Sequence, residues 1–154
     1  MQKKTDMIPF HLTEYIEQSI KEIGIDPYTS RGKKDGQWTI KYKNSTVWID
    51  LFSYPEKPEK YYFQVMSPLC KMVDSKTEEF AIDLLEINYM MYGSWICKKE
   101  GWIYILSLRE ADNLQKAEVD ATIDRVAIYS ADYWGKLSFK YKNCWIKNEE
   151  EKIE

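Results

Sequence analysis

Residues 7–23 carry Leu12, Ile16, Ile20 and Ile23 at helical spacing, a single apolar stripe, while Glu14, Glu17, Gln18 and Lys21 fall on the other side. That pattern predicts an amphipathic helix, with Gly24 placed to close it in the left-handed conformation. Residues 26–36 hold Pro27, Ser30, Gly32, Lys33, Lys34 and Asp35, the composition of a loop. The period then changes to two. Trp38, Ile40 and Tyr42 alternate with Thr39, Lys41 and Lys43, and Val47, Ile49 and Leu51 alternate with Trp48, Asp50, Phe52 and Tyr54. Two alternating runs around Asn44-Ser45 predict a hairpin that pairs Tyr42 with Val47, Ile40 with Ile49 and Trp38 with Leu51, an apolar face directed at the core.

Pro55-Glu56-Lys57-Pro58 forms the next turn, and residues 61–66 read as a third strand ended by Ser67-Pro68. Ser75-Lys76-Thr77-Glu78 has the spacing of a capping box. The helix behind it places Phe80, Leu84, Ile87 and Met91 on one stripe, with Ala81 and Leu85 beside them, and stops at Gly93. Residues 95–98 and 102–109 are two further strands joined around Lys99-Glu100-Gly101, where Gly101 suits the positive-φ position of a bulged hairpin. Asp112, with Gln115 three residues on, opens a last helix with the stripe Leu114, Ala117, Ala121 and Ile128, flanked by Val119, Ile123, Val126 and Ala127, running to about Leu137. The element order α-β-β-β-α-β-β-α predicts an α+β two-layer sandwich: an antiparallel five-stranded sheet with helices on one face, in a single domain over residues 7–142. Residues 143–154, ending in the acidic run from Asn148, are expected to be a partly disordered tail.

Helices on one side leave the other side of the sheet uncovered. There the alternation places Trp48, Phe52, Tyr62 and Met66, joined by Ile103 and Ile105, while Trp102, Tyr104, Leu106 and Leu108 form an unbroken apolar set suited to the core. Large apolar groups in that number form a patch of roughly several hundred Å², a size that calls for a partner. The competing reading is that loop 26–36, the segment Trp145-Ile146 or a second copy of the chain covers it.

Composition narrows the partner. The 154-residue chain has 12 Tyr, 6 Trp and 5 Phe, an aromatic share of 15%, and a net charge of -3, which argues against nucleic acid or anionic lipid. No signal peptide is expected, because no apolar stretch follows the basic start at Lys3-Lys4, and no run is long enough for a membrane span. Cys70, Cys97 and Cys144 are odd in number and widely spaced, fitting reduced apolar fillers in the cytoplasm better than disulfides or a metal site.

Catalytic chemistry finds little to work with. His11 is the one histidine, so Ser-His-Asp, Cys-His and multi-histidine metal arrangements lack their central group. Glu78-Glu79 and Asp83-Glu86 have the spacing of a solvated helix face, and Gly32-Lys33-Lys34 lacks the spacing of a phosphate loop. Lys41-Tyr42-Lys43 and Lys140-Tyr141-Lys142 interleave charge and ring as RNA-binding sheets do, but the net charge and the element order speak against that use. Asn88 reads as a helix-end residue bonding nearby backbone rather than as a group at a partner surface. No enzyme activity, cofactor or metal is expected.

Several stretches are similar to the YbjN-like bacterial family, whose fold is shared with class I type III secretion chaperones. Ala81-Ile82-Asp83-Leu84-Leu85-Glu86-Ile87-Asn88 looks like that family's apolar helix ending in Asn. It is followed by the hairpin on Glu100-Gly101 with Trp102-Ile103-Tyr104-Ile105, then Arg109-Glu110, then Ala131-Asp132-Tyr133-Trp134. The resemblance implies a small cytoplasmic protein, without known enzymatic activity, that dimerises and binds other proteins. The expectation is therefore a chaperone-like or adaptor protein that takes a protein or peptide partner on the aromatic sheet face, as a homodimer. The alternative is a regulatory domain that binds a small ligand in an aromatic pocket.

Overall fold

The computed structural model describes residues 7–142. Its elements run α1 (Phe10–Glu22), α2 (Pro27–Ser30), β1 (Gln37–Tyr42), β2 (Ser45–Tyr54), β3 (Lys57–Lys71), α3 (Thr77–Met90), β4 (Trp95–Lys99), β5 (Trp102–Glu110) and α4 (Lys116–Lys140). All neighbouring strands are antiparallel in the order β1-β2-β3-β5-β4. The fold is the expected α+β sandwich. The short helix α2 is the one element added, inside the segment read as a loop, where Asp26 caps it through the Tyr28 N–H at 2.9 Å.

One core joins the helices to one side of the sheet. Leu12, Ile16 and Ile20 of α1 are buried as the stripe predicts, and the helix ends at the left-handed Gly24, whose N–H reaches the Lys21 carbonyl at 3.0 Å. On α4 the buried stripe is Val119, Thr122, Ile123, Val126, Ala127, Ser130 and Leu137, not the predicted Ala117 and Ala121, which are exposed. Both sets have helical spacing. The chosen one accommodates Thr122 and Ser130 because neither hydroxyl is left unpaired: Thr122 donates to the Glu118 carbonyl of its own helix, and Ser67 of β3 donates to Ser130 at 2.7 Å in the core. Ser45 also donates to the Ala127 carbonyl at 3.0 Å, so α4 lies against β2 and β3 over small residues.

The first hairpin turns on Lys43-Asn44, both left-handed (φ 49° and 60°), rather than on Asn44-Ser45. Two successive positive φ values give the tight turn whose twist matches the strands. The register therefore moves by two, to Tyr42 opposite Ser45, Ile40 opposite Val47 and Trp38 opposite Ile49. A shift of two leaves every side chain on its expected face. The second hairpin likewise turns on two left-handed residues, Glu100 and Gly101, with no bulge. Strand β3 does not end at Ser67-Pro68. It continues to Lys71 through a bulge between Pro68 and Cys70, which lets a residue without an N–H sit in an inner strand.

Two helix starts also differ. Lys76 enters α3 with φ 53° and no side-chain cap, so Ser75 makes no capping box. On α4 the box lies one turn later than Asp112, with Gln115 and Glu118 satisfying each other's backbone N–H groups. At the β4 edge of the sheet, Asn88 of α3 accepts from the Ile96 N–H at 2.5 Å and donates to the Ile96 carbonyl at 3.5 Å. This is the backbone-bonding role expected of it.

Candidate functional site: the open face of the sheet

Side chains of β2, β3, β5 and β4 that point away from the helices form rows across the strands. One row is Trp48, Met66, Leu106 and Trp95, directly opposite one another in register. The next is Asp50, Gln64 and Leu108, with Gln37 of β1 beside Asp50, and the one after that is Phe52, Tyr62 and Glu110. Trp48, Phe52, Tyr62 and Met66 are half-buried and turned outward, as expected. Among the described residues no helix crosses this face: α4 packs on the other side, α2 contacts β1 and α1, and α3 contacts β4.

The rings cluster. Phe52 stacks on Tyr62 with centroids 5.8 Å apart, and Tyr54 meets both edge-on at 5.3 Å and 4.9 Å. Trp48 lies 6.0 Å from Tyr104. Such pairs hold one another in fixed orientations and present a rigid apolar surface.

Ile103 and Ile105 do not belong to it. They are 1% and 0% exposed in the core, while Trp102, Tyr104, Leu106 and Leu108 take the outward side, where Tyr104 is itself buried at 7% exposure. Every residue from Trp102 to Leu106 is apolar, so alternation could not choose between the two sides. The choice follows from the helix. Close approach of α4 over Ala127 and Ser130 suits branched aliphatic chains, and it puts Arg109 where its guanidinium pairs with Glu118 in the first turn of α4. The wide Trp and Tyr rings go where no helix limits their height.

Asp50 is the polar centre of the face. Gln64 Nε2 donates to it at a long 3.5 Å, and the Gln37 carboxamide also bonds it. Burial pushes its carboxyl above the usual value, and the two carboxamides oppose that rise. No cation adjoins Asp50 among the described residues.

A second exposed apolar surface lies on α3 and was not foreseen. Ile82, Leu85, Tyr89 and Met90 are 50–89% exposed, with Tyr92 and Trp95 just beyond. Phe80 and Leu84 are buried as expected, but Leu85, assigned to their side, faces outward. The signal was present: apolar side chains spread over well over half of the circumference of α3, leaving Glu79, Asp83 and Glu86 as its polar stripe, and so wide an apolar face exceeds what one buried side needs.

Other candidates offer less. A cavity of about 430 Å³ between α1, α4 and Tyr42 is lined by Ile23, Ala117, Ala121 and Ile123 with a rim of Glu22, Asp120 and Asp124. Those acids are already paired, with Lys116 or with Lys43. His11 is exposed and meets Tyr15 edge-on at 5.9 Å. Cys70 is buried in the core, and burial pushes the half-buried Cys97 thiol up, away from reactivity. Among the described residues no three His, Cys, Asp or Glu side chains gather where they could hold a metal ion, and no helix is long and apolar enough to cross a membrane. Cys144, Trp145, Ile146 and the acidic end lie outside the described residues.

No family model matches the chain, and no curated protein matches it. Solved structures do. A chain of the ExsC-ExsE complex aligns at TM-score 0.60 and 12% identity, over 82% of this chain and 92% of that one. A chain of the HopA1-SchA chaperone-effector complex aligns at TM-score 0.60 and 8% identity, over 84% and 99%. YbjN from E. coli, a proposed transcription regulator, aligns at TM-score 0.52 and 12% identity, over 86% and 95%. The chain thus has the YbjN-like fold shared with type III secretion chaperones.

Proposed function

We propose that this protein is a non-enzymatic, chaperone-like or adaptor protein of the cytoplasm that binds a polypeptide partner on the open face of its sheet, as a homodimer. The observation that carries the reading is the pair of ring-bearing rows, Trp48-Met66-Leu106-Trp95 and Phe52-Tyr62, on a side that no described helix covers. Aromatic side chains supply most of the energy of protein interfaces, which suits such a surface to a partner. One neighbour in fold is a chaperone-effector complex, in keeping with this role. The exposed stripe Ile82, Leu85 and Tyr89 on α3 supports the homodimer, because it lies on a helix and not on the strands that carry the ring-bearing rows, which gives a second copy its own apolar face to seat on. The small-ligand alternative is less favoured. It needs an aromatic pocket, and the cavity beside Tyr42 has that single ring in its lining.

The test is a tagged full-length protein recovered from its own cells beside two variants. Phe52→Asp should lose the co-purifying polypeptides that the parent retains. Tyr28→Asp, at an exposed ring on α2, should keep them. Equal recovery by all three would remove the sheet face as the binding surface. Sedimentation equilibrium should give a dimer for the parent and a monomer for Leu85→Asp.

A further inference from the structure

The chemistry of the partner follows from Asp50, and the inference rests on the open-face reading. Asp50 lies between the Trp48-Met66 row and the Phe52-Tyr62 row, two positions along β2 from each. At a strand rise of about 3.3 Å per residue, the apolar rows stand roughly 6–7 Å to either side of the carboxylate. Whatever covers both rows also covers Asp50 and removes its remaining water. Its two bonding neighbours, Gln37 and Gln64, are neutral, so the charge itself is uncompensated among the described residues. Lys60, beside the Phe52-Tyr62 row, is engaged with Glu110 at the end of that row. A buried carboxylate without a counter-charge is strongly unfavourable, and one paired and hydrogen-bonded is not.

We propose that the face recognises a polypeptide segment that sets an arginine or lysine against Asp50, between two apolar side chains seated on the flanking rows. In an extended segment the three side chains are two positions apart; in a helical one they are four apart, about 6 Å along the axis. Arginine suits the site best. Its planar fork can donate two N–H groups to the carboxylate while its flat faces lie on the surrounding rings. The same carboxylate disfavours nucleic acid and anionic lipid, whose phosphates it repels.

A randomised 12-residue peptide library displayed on phage, panned against the full chain, tests this. Clones that compete with one another should share a basic residue between two apolar ones. Asp50→Asn, which keeps the shape, should weaken them about tenfold or more, and Asp50→Lys should select an acidic residue at the same place. Competing clones that lack a basic residue, bind the parent and Asp50→Asn equally and lose binding in Phe52→Asp would overturn the inference while leaving the open-face reading intact. If no clone depends on Phe52, both fail together, and the face belongs to a second copy or to the chain's own residues 143–154.

Discussion

Replacing Asn88 by Ala tests how the sheet protects its β4 edge. The Asn88 carboxamide takes the Ile96 N–H at 2.5 Å and reaches the Ile96 carbonyl at 3.5 Å, standing in for a missing neighbour strand. The second contact is long and contributes little. The first satisfies an amide on a residue only 9% exposed, and leaving such a donor unpaired costs about 1–3 kcal/mol. Alanine is the better helix former by up to about 0.7 kcal/mol, which offsets part of that loss. The net expectation is a destabilisation of about 1 kcal/mol, a fall in Tm of roughly 2–5 °C for a domain of this size. Locally the effect is larger, because the helix gain does not reach the strand. Exchange of the Ile96 amide should accelerate about 5- to 30-fold by hydrogen-exchange NMR. Asn88→Asp keeps the acceptor and should keep most of that protection. A fall in Tm with Ile96 exchange unchanged in Asn88→Ala would refute the edge-clamp argument.

Three other outcomes bear on the core and its register. Ser130→Ala leaves the Ser67 hydroxyl, 0% exposed, without its 2.7 Å partner and should cost about 1–3 kcal/mol by urea denaturation, whereas the double change to Ala should cost less than the sum of the single ones. The facing of β5 is checked by Ile105→Ala, expected to cost about 2–5 kcal/mol, against Leu108→Ala on the open side, expected below about 1 kcal/mol. Lys140, then Tyr141, hold the Asp83 carboxyl below its ordinary value of 3.8, so the stabilisation is present above that value and is lost as pH falls through the native one. Asp83→Asn should flatten the acid limb of the stability curve. Tyr141 behaves oppositely: burial and Asp83 push it up to about 12, so its contribution is present below pH 10 and fades as pH rises through about 12.

Much of this was legible in the chain, and the exceptions share a cause. Element order and the facing of β1, β2 and β3 follow from periods of 3.6 and 2, because in those strands one side is apolar and the other mixed. Strand β5 offers large apolar groups on both sides, so its alternation carries no sign, and only the fit of α4 decides it. The same ambiguity hid the outward stripe of α3, where Leu84 is buried and Leu85 is 68% exposed although both are leucine. The hairpin loop was misplaced by one residue because Lys43 gives no sequence hint of a left-handed φ. Of the six residues first assigned to the open face, Trp48, Phe52, Tyr62 and Met66 lie on it, and Ile103 and Ile105 exchanged places with Tyr104 and Leu106.

The edges of the sheet bear on how a partner can approach. At β4 the outward backbone of Ile96 is taken by Asn88. At β1 the Gly32 N–H donates to the Gln37 carbonyl at 2.7 Å, and Arg31 bridges to Trp38, so the loop behind α2 occupies the start of that edge. Beyond it the edge carries Lys41, a charge of the kind that discourages strand addition. An approach along either edge must first displace contacts the chain already makes. An approach onto the open face meets rings whose orientation is already set and, among the described residues, no covering helix, so it loses little conformational entropy on the protein's side. The expense of that route is concentrated in one group, the Asp50 carboxylate, so the charge of the arriving side chain decides which partners can use it.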